Sequence, residues 1–176
     1  MKVYIASTLS NADEAQAVSE ALALDGWETT YPWFSHGSVQ AEGEERIREV
    51  AAAEIAGVLE ADLVIVVLPG GRGTHVELGI ALAEVSQGIA AGNPYAPGPK
   101  RILLYGRGRE AMTAFSAKTS CSRADDIIAG GATHDANGSI CAFYLAPGVV
   151  MVEKDRGTDG LRLEALRAWR EIGGGP

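Results

Sequence analysis

Leu63 to Leu68 (LVIVVL) is an unbroken run of Leu, Val and Ile with no polar position, and it constrains this chain more than any other stretch. A strand with one wetted face alternates, whereas a strand covered on both faces does not, so the run belongs mid-sheet with helices on either side. Pro69, Gly70, Gly71 and Gly73 then break the strand, and from Thr74 onward Val76, Ile80, Ala83 and the pair Ala81/Val85 follow helical spacing. Residues 61–83 therefore read as strand, glycine turn, helix. In open α/β sheets ligands bind beyond the carboxyl ends of the strands, where turn amides and helix N-termini point outward. The turn, with its one carboxylate Glu77, is the first candidate site.

The flanking sequence repeats the alternation. A strand is expected over Lys2–Ala6 and a polar turn over Ser7–Asn11; a helix over about Ala12–Asp25, with Ala15, Val18 and Leu22 on one face, stops at Gly26. Trp27–Tyr31 alternates as a short strand. Pro32–Gly43 is a loop in which Trp33 and Phe34 either stack on a base or plug the core edge, and His36 accompanies them. A helix is expected over Glu44–Glu60, strands over Lys100–Tyr105, Ala142–Leu145 and Val149–Glu153, and a closing helix over Thr158–Ile172 with Leu161, Ala165, Leu166 and Trp169 inward. The 176 residues suit a single domain with a weakly patterned insertion at about 106–140. The expected fold is a three-layer α/β/α sandwich on a mostly parallel, five-stranded, Rossmann-like (flavodoxin-like) sheet.

A net charge of −8 argues against nucleic acid or an anionic membrane as partner, since both require clustered Lys and Arg, and favours a small ligand. Cys121 and Cys141 fit no metal spacing, and His36, His75 and His134 have no ligand spacing between them, so they read as surface residues or as supports of a site. With no signal peptide and no apolar run of about 18 residues, a cytoplasmic protein is expected.

Two carboxylates stand out. Between Glu44 and Glu60, Ile47, Val50, Ala51, Ile55 and Val58 fill one arc of the helix, and Glu54 falls in its middle. Such a carboxylate is costly unless paired and is often functional; the structural alternative puts Glu54 at the exposed edge of the face. For Glu77, Thr74-His75-Val76-Glu77 matches a capping box, and local sequence alone favours that structural role. The turn is neither a P-loop, having no Gly-Lys-Ser/Thr, nor a GxGxxG fingerprint, since Val76 stands where the third glycine belongs. Several amides beside Arg72 and a helix N-terminus suit a phosphate or a hydroxyl-rich ligand.

KVYIAS at the start, the helix carrying Glu54, and ADLVIVVLPGGRGTHVELGIALA together resemble the nucleoside 2-deoxyribosyltransferase family, including its branch of nucleoside 5'-monophosphate N-glycosidases. The resemblance covers about the first 105 residues and is most specific at GTHVELG; LPGGRGTHVE also resembles the PGGxGTxxE motif of cytokinin-activating phosphoribohydrolases, whose long N-terminal portion is missing here. The resemblance implies that Glu77 is a nucleophile at C1', that Tyr4 orients it, and that Glu54, where the family carries Asp, protonates the leaving base. It implies no metal or redox cofactor and a homodimer or higher homo-oligomer. The transferase branch carries an acid six positions before its catalytic Glu, to hold a 5'-hydroxyl, and here that position is Gly71. A turn without an acid, made of Gly70, Gly71 and Gly73 with the Arg72 cation beside them and Thr74 at the helix start, with Ser7 and Thr8 adding hydroxyls, favours a 5'-phosphate and hydrolysis of a nucleotide. The alternatives are base exchange by a deoxyribosyltransferase and a non-catalytic nucleotide-sensing domain.

Overall fold

The computed structural model describes residues 1–86, 101–106, 144, 146 and 148–172. In chain order they form β1 (Lys2–Ala6), α1 (Ala12–Ala23), β2 (Glu28–Thr29), α2 (Glu44–Glu60), β3 (Leu63–Val67), α3 (Arg72–Val85), β4 (Arg101–Gly106), β5 (Val149–Glu153) and α4 (Gly157–Glu171). The strands lie in the order β2-β1-β3-β4-β5, and all four pairings are parallel. This is the flavodoxin-like order, whose topological switch lies between β1 and β3. Right-handed crossovers place α2 and α3 together on one face and α1 with α4 on the other, in agreement with their packing. Every residue of β3 is buried, as its unbroken apolar run requires.

Asp62 sets the register at the amino end of the sheet. Its N–H donates to the Lys2 carbonyl at 3.0 Å, its carboxylate accepts the Lys2 N–H at 2.8 Å, and its carbonyl accepts the Arg101 N–H at 3.3 Å. Tyr4 is thereby held opposite Val64. The phenol of Tyr4 turns toward the α2/α3 layer, where it meets Gly57.

Several boundaries and faces differ from expectation. The edge strand shrinks from Trp27–Tyr31 to two residues because Trp27 is drawn into the core, edge-on to Trp169 of α4 at 6.0 Å. Trp33 is a core plug: its indole N–H donates to the Ile5 carbonyl at 2.6 Å. On α2, Ala51 and Ile55 are exposed and the buried arc is Val50, Gly57 and Val58, with Glu54 half-buried beside it. On α3, Val76 is 62% exposed and Ala83 is exposed, while Thr74, Glu77, Leu78, Ala81, Leu82 and Val85 are buried. The polar members of that arc disguised it in a reading based on apolar spacing alone. The insertion at about 106–140, Cys121, His134 and Cys141 lie outside the described residues, as does Ala142–Leu145 apart from Tyr144.

Candidate active site

Beyond the carboxyl ends of β1 and β3 lies a cavity of about 540 Å³, within the range of small-molecule sites. Three segments wall it: Ser7 and Thr8 after β1, the loop through His36 and Gln40 leading into α2, and Gly71 to Thr74 at the start of α3. Glu54 and Glu77 both face into it. The loop after β1 is stitched to the turn after β3, because Ser7 Oγ donates to the Val67 carbonyl at 2.9 Å and Asn11 Nδ2 donates to Ser7 Oγ and to the Pro69 carbonyl.

Glu77 occupies the deepest position. It is 8% exposed, and its Oε1 accepts the Tyr4 hydroxyl at 2.5 Å. Its Oε2 is buried and has no hydrogen-bond partner among the described residues. The capping box expected from Thr74 to Glu77 does not form. The helix begins earlier, at Arg72, with Gly71 as its cap, and Thr74 Oγ1 instead accepts the Gly71 N–H at 3.1 Å. Glu77 sits a turn too deep to reach back to the helix start, so its carboxylate is not a cap. Burial pushes the Glu77 carboxyl up to about 8; the Tyr4 hydrogen bond opposes that rise and the neighbouring Glu54 charge adds to it. Tyr4 is fully buried and held far above the usual phenol range, first by desolvation and then by Glu77, so it acts here as a neutral donor.

Glu54 lies at the cavity wall, its carboxyl raised by burial and lowered in part by His36. His36 Nδ1–H donates to the Gly37 carbonyl at 3.0 Å, and its Nε2 is hydrogen-bonded to the Tyr31 hydroxyl at 2.9 Å. Raised carboxyl groups in one cavity, one with an oxygen left bare, are the arrangement expected of an acid/base or nucleophile pair.

No protein family matches the chain, and no curated protein matches it in sequence. Among solved structures it is similar to one described as "Structure of Clostridium botulinum CMP N-glycosidase, BcmB", at 15% identity and a TM-score of 0.48, over 95% of this chain and 98% of that one. A likeness of this degree carries no residue assignment.

The helix start also faces the cavity. The first intrahelical bond runs from His75 N–H to the Gly71 carbonyl, so the amides of Arg72, Gly73 and Thr74 precede it and have no intrahelical partner. Gly71 and Gly70 do different work from that expected of them. The Gly71 amide is occupied by Thr74, and a Cβ at Gly71 would come within 2.8 Å of Thr8 Cγ2. Gly70 does not line the cavity; a Cβ there would meet Thr74 and the Tyr144 hydroxyl. Thr8 Oγ1 is hydrogen-bonded to Ser10. Exposed Arg72 lines the cavity as its cation.

Sequence reasoning passed over Gly57, where a Cβ would lie 2.9 Å from Tyr31 Cβ and 3.1 Å from Tyr4 Cδ2. Its place on the same helical arc as Glu54 was the available signal. Among the described residues no cluster of His, Cys, Asp and Glu could hold a metal ion, and no helix is long and apolar enough to cross a membrane.

Proposed function

We propose that this protein hydrolyses the N-glycosidic bond of a nucleoside 5'-monophosphate. One observation carries the reading: Glu77 lines the cavity with one oxygen fixed by Tyr4, while its Oε2 is buried and has no hydrogen-bond partner among the described residues. An orphaned buried carboxylate oxygen is costly, and a developing oxocarbenium carbon is the partner that would relieve the cost.

In the first step Oε2 of the ionised Glu77 carboxylate bonds to C1' as the C1'–N bond breaks, and the base departs with the Glu54 proton. In the second step the Glu54 carboxylate takes a proton from water, the water oxygen bonds to C1', and Glu77 is released. Interception of the same ester by a second base would give transfer instead. The amides of Arg72, Gly73 and Thr74, with the Arg72 guanidinium, are suited to the 5'-phosphate. Exposed Ile55 and Leu59 on α2 and Val76 on the adjacent α3 favour a homodimer, to be checked by sedimentation velocity.

The test is chromatography of free base released from a panel of nucleoside 5'-monophosphates and nucleosides, with and without an acceptor base. The expected result is base release from a monophosphate, with kcat/KM at least tenfold above that of its nucleoside and a ratio that falls in Arg72→Ala. Binding without release would favour a sensing domain. A ratio near one, unchanged in Arg72→Ala, would remove the phosphate and favour the transferase.

A further inference from the structure

The start of α3 is held from behind by two residues that the proposed reaction does not use. His75 is half-buried, and its Nδ1 lies 2.7 Å from the Gly71 carbonyl oxygen. A carbonyl only accepts, so Nδ1 carries the proton and Nε2 presents its lone pair to the Tyr144 hydroxyl at 3.1 Å. Tyr144 is 3% exposed, its ring lies 5.5 Å from the imidazole, and its hydroxyl abuts Gly70. The chain runs from Tyr144 O–H to Nε2, and from Nδ1–H to the Gly71 carbonyl, which also accepts the His75 backbone N–H at 3.1 Å.

We infer that His75 and Tyr144 are positioning residues that lock the Gly71–Arg72 peptide so that the Arg72 N–H is aimed out of the helix start at the substrate's phosphate. In a trans peptide the C=O and the following N–H point in opposite directions, so a carbonyl pinned back along α3 drives that N–H outward. Gly71 is a residue whose own side chain restrains nothing, which makes an external restraint useful here. Glu77, which lines the same cavity and whose buried Oε2 has no hydrogen-bond partner among the described residues, independently marks this end of α3 as a ligand site. The strut also ties Tyr144, late in the chain, to the turn after β3. This inference rests on the phosphate reading given above.

Two measurements test it. Long-range nitrogen–proton NMR of the imidazole should find His75 as the Nδ1–H tautomer, and Tyr144→Phe should shift the Nε2 resonance; an Nε2–H tautomer would overturn the strut whatever the enzyme does. Calorimetric titration then compares ribose 5-phosphate with ribose. Losing the aim of a charge-assisted donor should weaken ribose 5-phosphate binding about tenfold in His75→Leu and Tyr144→Phe, with ribose unchanged. His75→Asn, which restores a donor to Gly71, should recover part of the loss, and in turnover the loss should fall mainly on KM. The expected tautomer with equal binding in wild type and variants would make the pair merely structural and overturn the proposal. A wild type that binds both sugars alike would remove the phosphate seat itself, and base release from nucleosides would remain as a separate result.

Discussion

Tyr4 and Glu77, 73 positions apart, meet at 2.5 Å beneath the cavity floor, one from the first strand and the other from the third helix. The contact divides the carboxylate between a fixed oxygen and one with no hydrogen-bond partner among the described residues, and most of what can be tested follows from that division.

Glu77→Gln is expected to lower turnover by several orders of magnitude, because it removes the proposed nucleophile. The same change should stabilise the fold. The folded state holds the Glu77 proton up to about pH 8, whereas the unfolded chain releases it near 4.5, so wild type loses stability as pH rises between those values. Denaturant melts of the two proteins should coincide below pH 4 and diverge to on the order of 4 kcal/mol above pH 8. Parallel curves would mean that the carboxyl is not raised.

Tyr4→Phe removes the donor that favours the ionised carboxylate. The Glu77 titration, followed by carbon NMR of the carboxyl, should move above about 8, and activity at neutral pH should fall with it. An unchanged or lower midpoint would mean that Tyr4 does not stabilise the charge.

How far the sequence revealed this site can be judged from the same residues. The LVIVVL run announced a central parallel strand, and the glycines after it located the cavity, because both depend on neighbours in the chain. Glu54 stood out on its helix through an apolar arc of which only Val50 and Val58 are buried, so it lies beside the buried face and not in its middle. The capping box misled: Thr74 and Glu77 have the right spacing, but Gly71 starts the helix three residues earlier and puts Glu77 on the buried arc. Which residue caps a helix depends on where the preceding strand delivers the chain, and periodicity does not carry that. The helical arc could have pointed to Gly57, but its contacts with Tyr4 and Tyr31 and the His75–Tyr144 pair were illegible because the partners are distant in sequence.

Glu54→Gln should bind substrate with little change yet slow base release, most for bases that leave poorly, since an amide keeps the shape of the group but cannot donate the proton. A series of substrates with graded leaving groups measures this as a steeper dependence of rate on leaving-group basicity. Equal slopes would leave Glu54 a structural role.

Gly57→Ala adds one methyl where a Cβ has 2.9 Å to Tyr31 and 3.1 Å to Tyr4. Overpacking of this kind costs about 1–3 kcal/mol, and here the strain falls on the phenol that is hydrogen-bonded to Glu77. Thermal melts should register the first effect and kcat the second. A fully active variant with normal stability would show that α2 can back away from β1 without consequence.

Asp62 clamps β1, β3 and β4 at their amino ends, while the candidate site lies beyond the carboxyl ends of β1 and β3. The intervening strands therefore act as gauges of fixed length between an origin and a working edge. One residue added to β1 between Lys2 and Tyr4 would turn the phenol to the α1/α4 face, and one added to β3 would carry Glu77 about 3.3 Å beyond its reach. Descendants of this chain can lengthen freely in the loops on the Asp62 side, but within these two strands even a single inserted codon would separate the carboxylate from its phenol while leaving the sheet able to form.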